Sequence, residues 1–139
     1  MDAVLSTAVQ AVARERDIGF KDAFHAARSL VVAYGEAGLA ERVVSEVSPS
    51  VPWEVVADLL GLLMWSTADN GTAIRRAAER WLTEGRDLRK VQIALNLEGY
   101  PFKDRQEMKT TLIRLAITMP EVAARCLNLI EQRQAAPRA

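Results

Sequence analysis

Apolar residues recur at intervals of three and four along nearly the whole chain, and this spacing restricts the possible fold most strongly. The first stretch, residues 2–16, carries Leu5, Ala8 and Val12 on one side, which is the period of an amphipathic helix. Glycine or proline interrupts the pattern at short intervals, and no segment is rich in β-forming residues. We expect about eight short helices: 2–16, 20–34, 39–47, 52–66, one between Gly71 and Gly85, 87–97, 104–118 and 120–134.

These helices predict an all-α fold class, with short turns that join consecutive helices into antiparallel pairs. Two architectures remain open, a helical bundle and a short HEAT-like array. The sequence shows no clear repeat at a fixed period, so it does not establish a solenoid.

The triplet Asp69-Asn70-Gly71 separates two long apolar stretches. A β-hairpin here would need alternating apolar and polar residues on both sides. The following residues instead place Ile74, Ala78 and Trp81 at helical spacing, and Asp and Asn are favoured at helix N-termini. The triplet therefore predicts a joint between two helices.

Length and composition indicate one globular domain. The chain has 139 residues, of which 50% are hydrophobic and 26% charged. That is enough apolar material for one core without a metal or a disulfide. We expect a single all-α domain over residues 1–134, and a frayed C-terminal tail over 135–139.

The cysteine content and the N-terminus bear on the compartment. Cys126 is the one cysteine, so no internal disulfide can form, which is typical of a reducing environment. The N-terminus has an acidic residue at position 2 and no basic segment, unlike a secretory signal peptide. The longest apolar run, from Leu59 to Trp65, is much shorter than a bilayer requires. We expect a cytoplasmic protein that does not enter the membrane.

Charge is distributed unevenly although the net charge is zero. Residues 1–71 contain 5 Lys+Arg and 10 Asp+Glu, whereas residues 72–139 contain 13 and 8. Nucleic-acid-binding proteins usually carry an overall positive excess, and acidic residues interrupt the basic stretch around Arg75, Arg80 and Lys90. We therefore expect no nucleic-acid partner, and the separated charge favours a protein partner or self-association into a homo-oligomer.

No catalytic, cofactor or metal motif is present in the sequence. His25 is the one histidine, and Cys126 falls on the apolar stripe of the last helix, where cysteine is commonly a core residue. Glu54 and Asp58 are four residues apart on one helical face, a spacing that could serve acid–base chemistry or a metal. A solvated acidic face explains that pair more simply, so the prediction is a protein with no enzymatic activity and no cofactor.

Acidic residues on two neighbouring helices form the candidate partner-binding surface. Glu41 and Glu46 belong to the third predicted helix, and Glu54 and Asp58 to the fourth. Trp53 lies beside them, and tryptophan is enriched among the residues that contribute most to protein–protein binding. The alternative for Trp53 is core packing under the Pro-rich turn. The sequence leaves open whether the acidic or the basic half meets a partner.

The segment VADLLGLLMWSTADNGTAIRRAAERWL, followed by ALNLEGYPFKDRQEM, resembles small all-α immunity proteins of bacterial polymorphic-toxin and type VI secretion systems. The resemblance is carried by Trp65-Ser66-Thr67, Asp69-Asn70-Gly71 and Tyr100-Pro101-Phe102. It implies a non-enzymatic protein that binds a cognate toxin domain and blocks its active site or its assembly. Two other function classes remain: a HEAT-like scaffold or adaptor, and a small helical enzyme that uses Glu54 and Asp58.

Overall fold

A computed structural model of the protein describes residues 1–136. Within them the chain is all-α, with no strand, as the apolar period predicts. The elements are α1 (Ala3–Glu15), α2 (Lys21–Tyr34), α3 (Leu39–Glu46), α4 (Trp53–Ser66), α5 (Thr72–Glu84), α6 (Leu88–Leu95), α7 (Arg105–Thr118), a 3₁₀ turn (Pro120–Val122) and α8 (Ala123–Ala135).

The ends of the helices follow ordinary capping chemistry. Asp87 and Asp104 accept backbone N–H bonds at the starts of α6 and α7, as their positions in the sequence predict. Gly35 follows α2 with φ 76°, a conformation that glycine adopts without strain. The last helix starts three residues later than predicted, because Pro120–Val122 form a 3₁₀ turn in which Val122 N–H donates to Met119 C=O at 3.0 Å.

The described residues fall into two compact units, Met1–Ala77 and the part that begins at Ala78. The single domain expected over 1–134 stays a prediction. Of the expected tail, Ala135 is the last residue of α8, and residues 137–139 lie outside the part that the structure describes.

The first unit is built on α1, α2 and α4. Helix α1 contacts both of the others, and the three bury Leu5, Leu30 and Leu59 completely. The ends of α1 and α2 meet in antiparallel fashion, since α1 begins beside the end of α2, where Tyr34 O–H donates to Asp2 at 2.5 Å.

A buried carboxylate joins the other ends of α1 and α2. The residue before α2 is Phe20, which has no side-chain acceptor for the first N–H groups of the helix. Glu15, only 5% exposed at the end of α1, accepts them instead: Ala23 N–H donates to Oε1 at 2.8 Å and Asp22 N–H to Oε2 at 3.2 Å. The charge of Glu15 is thus stabilised by the N-terminus of α2.

In the second unit, α7 and α8 pack against each other, and the loop before α7 is fixed by side chains. Arg133 of α8 donates to the carbonyl oxygens of Phe102 and Lys103, both at 2.8 Å. Glu79 accepts the N–H of Phe102 at 2.7 Å, and Phe102 has φ 64°. The structured loop predicted at Gly99–Phe102 is confirmed.

Candidate functional site

One solvent-facing stripe of α4 differs in character from the rest of that helix. Seven residues of α4 are buried, so the helix packs on more than one side. Glu54, Asp58, Gly61 and Trp65 follow one another at spacings of four, three and four, which places them along one face. They extend over about 16 Å of helix at 1.5 Å per residue. We call these four residues the α4 stripe.

Gly61 is the least expected member of the α4 stripe. Glycine in a helix interior is less stable than alanine by about 1 kcal/mol. Chains usually keep such a glycine where a side chain would collide with a neighbour or where φ is positive. Neither reason applies at Gly61, because a Cβ built there meets no atom within 4 Å and the backbone φ lies outside the left-handed region. The packing of this chain therefore does not require glycine at position 61.

Trp65 closes the α4 stripe at its C-terminal end. Its side chain is 69% exposed, a large apolar area on a helix whose other apolar residues are mostly buried. The backbone just beyond it is held in place, since Ala68 N–H donates to both carboxylate oxygens of Glu36, at 3.0 and 3.2 Å. Trp65 thus projects from a fixed backbone rather than from a loose end.

The turn after Trp65 explains the triplet Asp69-Asn70-Gly71. Asp69 accepts the N–H of Ala73 at 2.9 Å and that of Gly71 at 3.0 Å; these hydrogen bonds, that of Ala73 first, hold the pKa of Asp69 below its usual value. Asn70 and Gly71 both have positive φ, 55° and 79°. A Cβ on Gly71 would lie 2.6 Å from Cβ of Met64. The triplet is the predicted joint between two helices, and Gly71 is needed by packing where Gly61 is not.

Two of the four acidic residues predicted to bind a partner form ion pairs within the chain. On α4, Asp58 accepts from Nε of Arg16 at 2.6 Å. On α3, Glu46 accepts from Nε of Arg42 at 2.7 Å. The surface is therefore less negative than the sequence alone indicates.

Glu46 and Asp58 are connected through their contacts to opposite ends of α1. Arg42, which holds Glu46, stacks at 3.6 Å on the ring of Tyr34, and Tyr34 is bonded to Asp2 at the start of α1. Asp58 is bonded to Arg16, at the end of α1. The two ends of α1 are about 20 Å apart at 1.5 Å per residue.

The cluster around Tyr34 shifts two pKa values. Burial, together with the hydrogen bond to Asp2, raises the pKa of Tyr34 to about 12. The same bond, with that from Leu5 N–H, lowers the pKa of Asp2. Both shifts favour the state in which Tyr34 is protonated, Asp2 is ionised, and the Tyr34 hydroxyl donates a hydrogen bond to the Asp2 carboxylate.

The remaining predicted contact residues have intermediate exposure. Trp53 begins α4 and is half-buried, as are Glu54 in the first turn of α4 and Glu41 in the first turn of α3. Of the five predicted residues, Glu54 and Asp58 share the α4 stripe, Trp53 borders it, and Glu41 and Glu46 lie on another helix. Their role in binding stays a prediction.

The histidine and the cysteine, two residue types that often take part in catalysis, lie far apart in exposure. His25 is exposed on α2. Cys126 is fully buried, and burial raises the pKa of its thiol to about 11. Among residues 1–136, no three His, Cys, Asp or Glu side chains are grouped so that they could hold a metal ion. None of the helices described has the length and apolar character needed to cross a membrane.

The chain was compared with protein-family models, curated proteins and solved structures. The chain has no significant match among protein-family models, curated proteins or solved structures.

Sequence reasoning did not single out Gly61 or the exposure of Trp65. Helix α4 is apolar on nearly every side beyond Leu59, so its sequence does not show which apolar residue faces water. A signal existed in the spacing, because Gly61 and Trp65 continue the 3–4 interval that begins at Glu54 and Asp58.

Proposed function

We propose that the protein is a non-catalytic binding protein, and that the α4 stripe contacts its partner. The partner we propose is a bacterial toxin domain, as the resemblance to immunity proteins implies. Binding would neutralise the toxin by covering its active site or by blocking its assembly, and would take place in the cytoplasm.

The observation that carries the proposal is Gly61 beside Trp65. A glycine that internal packing does not require still allows another molecule's backbone or side chains to approach the helix closely. Trp65, one turn further along, offers a large apolar surface from a fixed position, and such residues often dominate binding energy. Together they form a partly apolar surface on one face of α4.

The charges of the stripe support a role in orienting the partner. Glu54 and the exposed Arg16–Asp58 pair lie on the side of Gly61 away from Trp65. Exposed ion pairs add little to stability, but charges at the rim of an interface speed association and restrict orientation. We therefore propose that Trp65 and Gly61 supply most of the affinity and that Glu54, Asp58 and Arg16 set the register.

The test is affinity capture from the native host with the tagged 139-residue chain, followed by mass spectrometry. Wild type, Gly61→Arg and Trp65→Ala are compared with two controls. Thr7→Arg places the same arginine on the exposed face of α1, and Ile117→Ala removes a side chain that is 74% exposed on α7. Circular dichroism is used to check that every variant keeps its helix content.

One dominant partner with a secretion-linked toxin domain, lost in Gly61→Arg and Trp65→Ala and kept in both controls, is the expected result. Equal capture by all five proteins would reject the α4 stripe as the contact surface. Several unrelated partners, without a toxin among them, would favour the scaffold or adaptor function.

A further inference from the structure

A cavity in the second unit is lined by basic and apolar side chains. It has a volume of about 320 Å³ and lies between the first turns of α7 and the last turns of α8. Three cationic side chains line it: Arg105, Lys109 and Arg133. Met108 and Ile130, 1% and 8% exposed, supply apolar wall. None of the described residues that line it carries a carboxylate.

Arg133 is fixed by neutral groups. It donates to carbonyl oxygens of the loop before α7 and to Sδ of Met108 at 3.2 Å. The ring of Tyr100 also lies over the guanidinium, 5.4 Å from Cζ to the ring centroid. None of these partners carries a negative charge.

Within residues 1–136, no ion pair with Arg105 or Lys109 is found. Arg105 donates to the carbonyl oxygen of Arg133 at 3.2 Å. Three cationic side chains therefore border one cavity.

We propose that this cavity binds a small amphipathic organic anion, with a carboxylate or phosphate headgroup on a short apolar chain. Arg105 and Lys109 would hold the headgroup through charge-assisted hydrogen bonds, while the positive charge of Arg133 contributes from its fixed position. The apolar chain would lie on Met108 and Ile130. Cavities of this size that combine apolar walls with a few convergent polar groups are typical of ligand sites.

The proposal is independent of the function proposed for the α4 stripe, because it concerns other residues and needs no protein partner. The 139-residue chain is titrated with hexyl phosphate, inorganic phosphate and hexanol, by isothermal calorimetry and by ¹H–¹⁵N NMR. We expect saturable 1:1 binding of hexyl phosphate, with shifts at the amides of Met108, Lys109 and Ile130. Inorganic phosphate and hexanol, which each lack one half of the probe, should bind at least tenfold more weakly.

Two lysine variants distinguish binding in the cavity from nonspecific electrostatic attraction of the anion. Lys109→Ala and the control Lys103→Ala each remove one positive charge from the second unit, but only Lys109 lines the cavity. Lys109→Ala should weaken hexyl phosphate binding about tenfold, the loss of one charge-assisted hydrogen bond, and Lys103→Ala should leave it unchanged. Equal weakening by both variants, or no saturable binding by wild type, would overturn the proposal.

Discussion

Replacing Gly61 with alanine should make the protein more stable, although it alters the proposed contact surface. The gain comes from the helix itself, because alanine restricts the unfolded chain and favours the helix by about 1 kcal/mol relative to glycine. Nothing offsets this gain, since the added Cβ meets no atom within 4 Å. For a chain of this length, about 1 kcal/mol corresponds to a rise in Tm of about 2–4 °C.

Gly71→Ala provides the contrasting variant. Gly71 has φ 79°, and its added Cβ would lie 2.6 Å from Cβ of Met64. A left-handed backbone is unfavourable for alanine by about 1–2 kcal/mol, and overpacking adds about 1–3 kcal/mol. We therefore expect Gly71→Ala to lower the free energy of unfolding by at least about 2 kcal/mol.

Thermal and urea unfolding, followed by circular dichroism at 222 nm, measure both variants beside wild type. A rise in the Tm of Gly61→Ala together with a fall for Gly71→Ala is the expected pattern. A fall in both would refute the reasoning, because it would mean that the chain itself packs against position 61. If Gly61→Ala is more stable than wild type and also binds the partner more weakly, unfolding cannot explain the weaker binding.

Three further predictions concern groups inside the chain. Glu15→Ala should lower the free energy of unfolding by about 1–3 kcal/mol in urea melts, because the buried N–H of Ala23 loses its acceptor; Glu15→Gln, which keeps one acceptor oxygen, should lose less. The folded-state pKa of Tyr34 is raised from 10.0 to about 12, so its contribution to stability is complete below pH 10 and is lost as the pH rises through about 12. Absorbance at 295 nm should show this titration in wild type minus Tyr34→Phe, and a difference midpoint near pH 10 would contradict it. Cys126 should not react with Ellman's reagent in native protein and should react fully in guanidinium, whereas rapid native labelling would show that the thiol is accessible.

The sequence by itself determined the secondary structure. Helix formation depends on spacing, capping residues and helix-breaking residues within a few positions, and all of these are local. Asp87 and Asp104 cap helices as predicted, and the Asp69-Asn70-Gly71 joint follows from the turn chemistry of its own residues. The burial of Cys126 also follows from its place on an apolar stripe.

Only the tertiary structure decided which side chains meet. Glu15 and Ala23, or Arg133 and Phe102, are joined by packing between helices, and no local pattern specifies such a pair. The same holds for the pairing of Asp58 with Arg16, which removes part of the acidic character that the sequence indicates.

The candidate site was predictable in part for the same physical reason. The sequence places Glu54 and Asp58 on one face of a helix, because that relation needs only the helical period. It does not show that this face is the exposed one, which depends on where α1 and α2 pack. Gly61 and Trp65 are candidate contact residues because no other part of the described chain packs against Gly61 and because Trp65 is exposed. Both properties depend on the packing of the other helices.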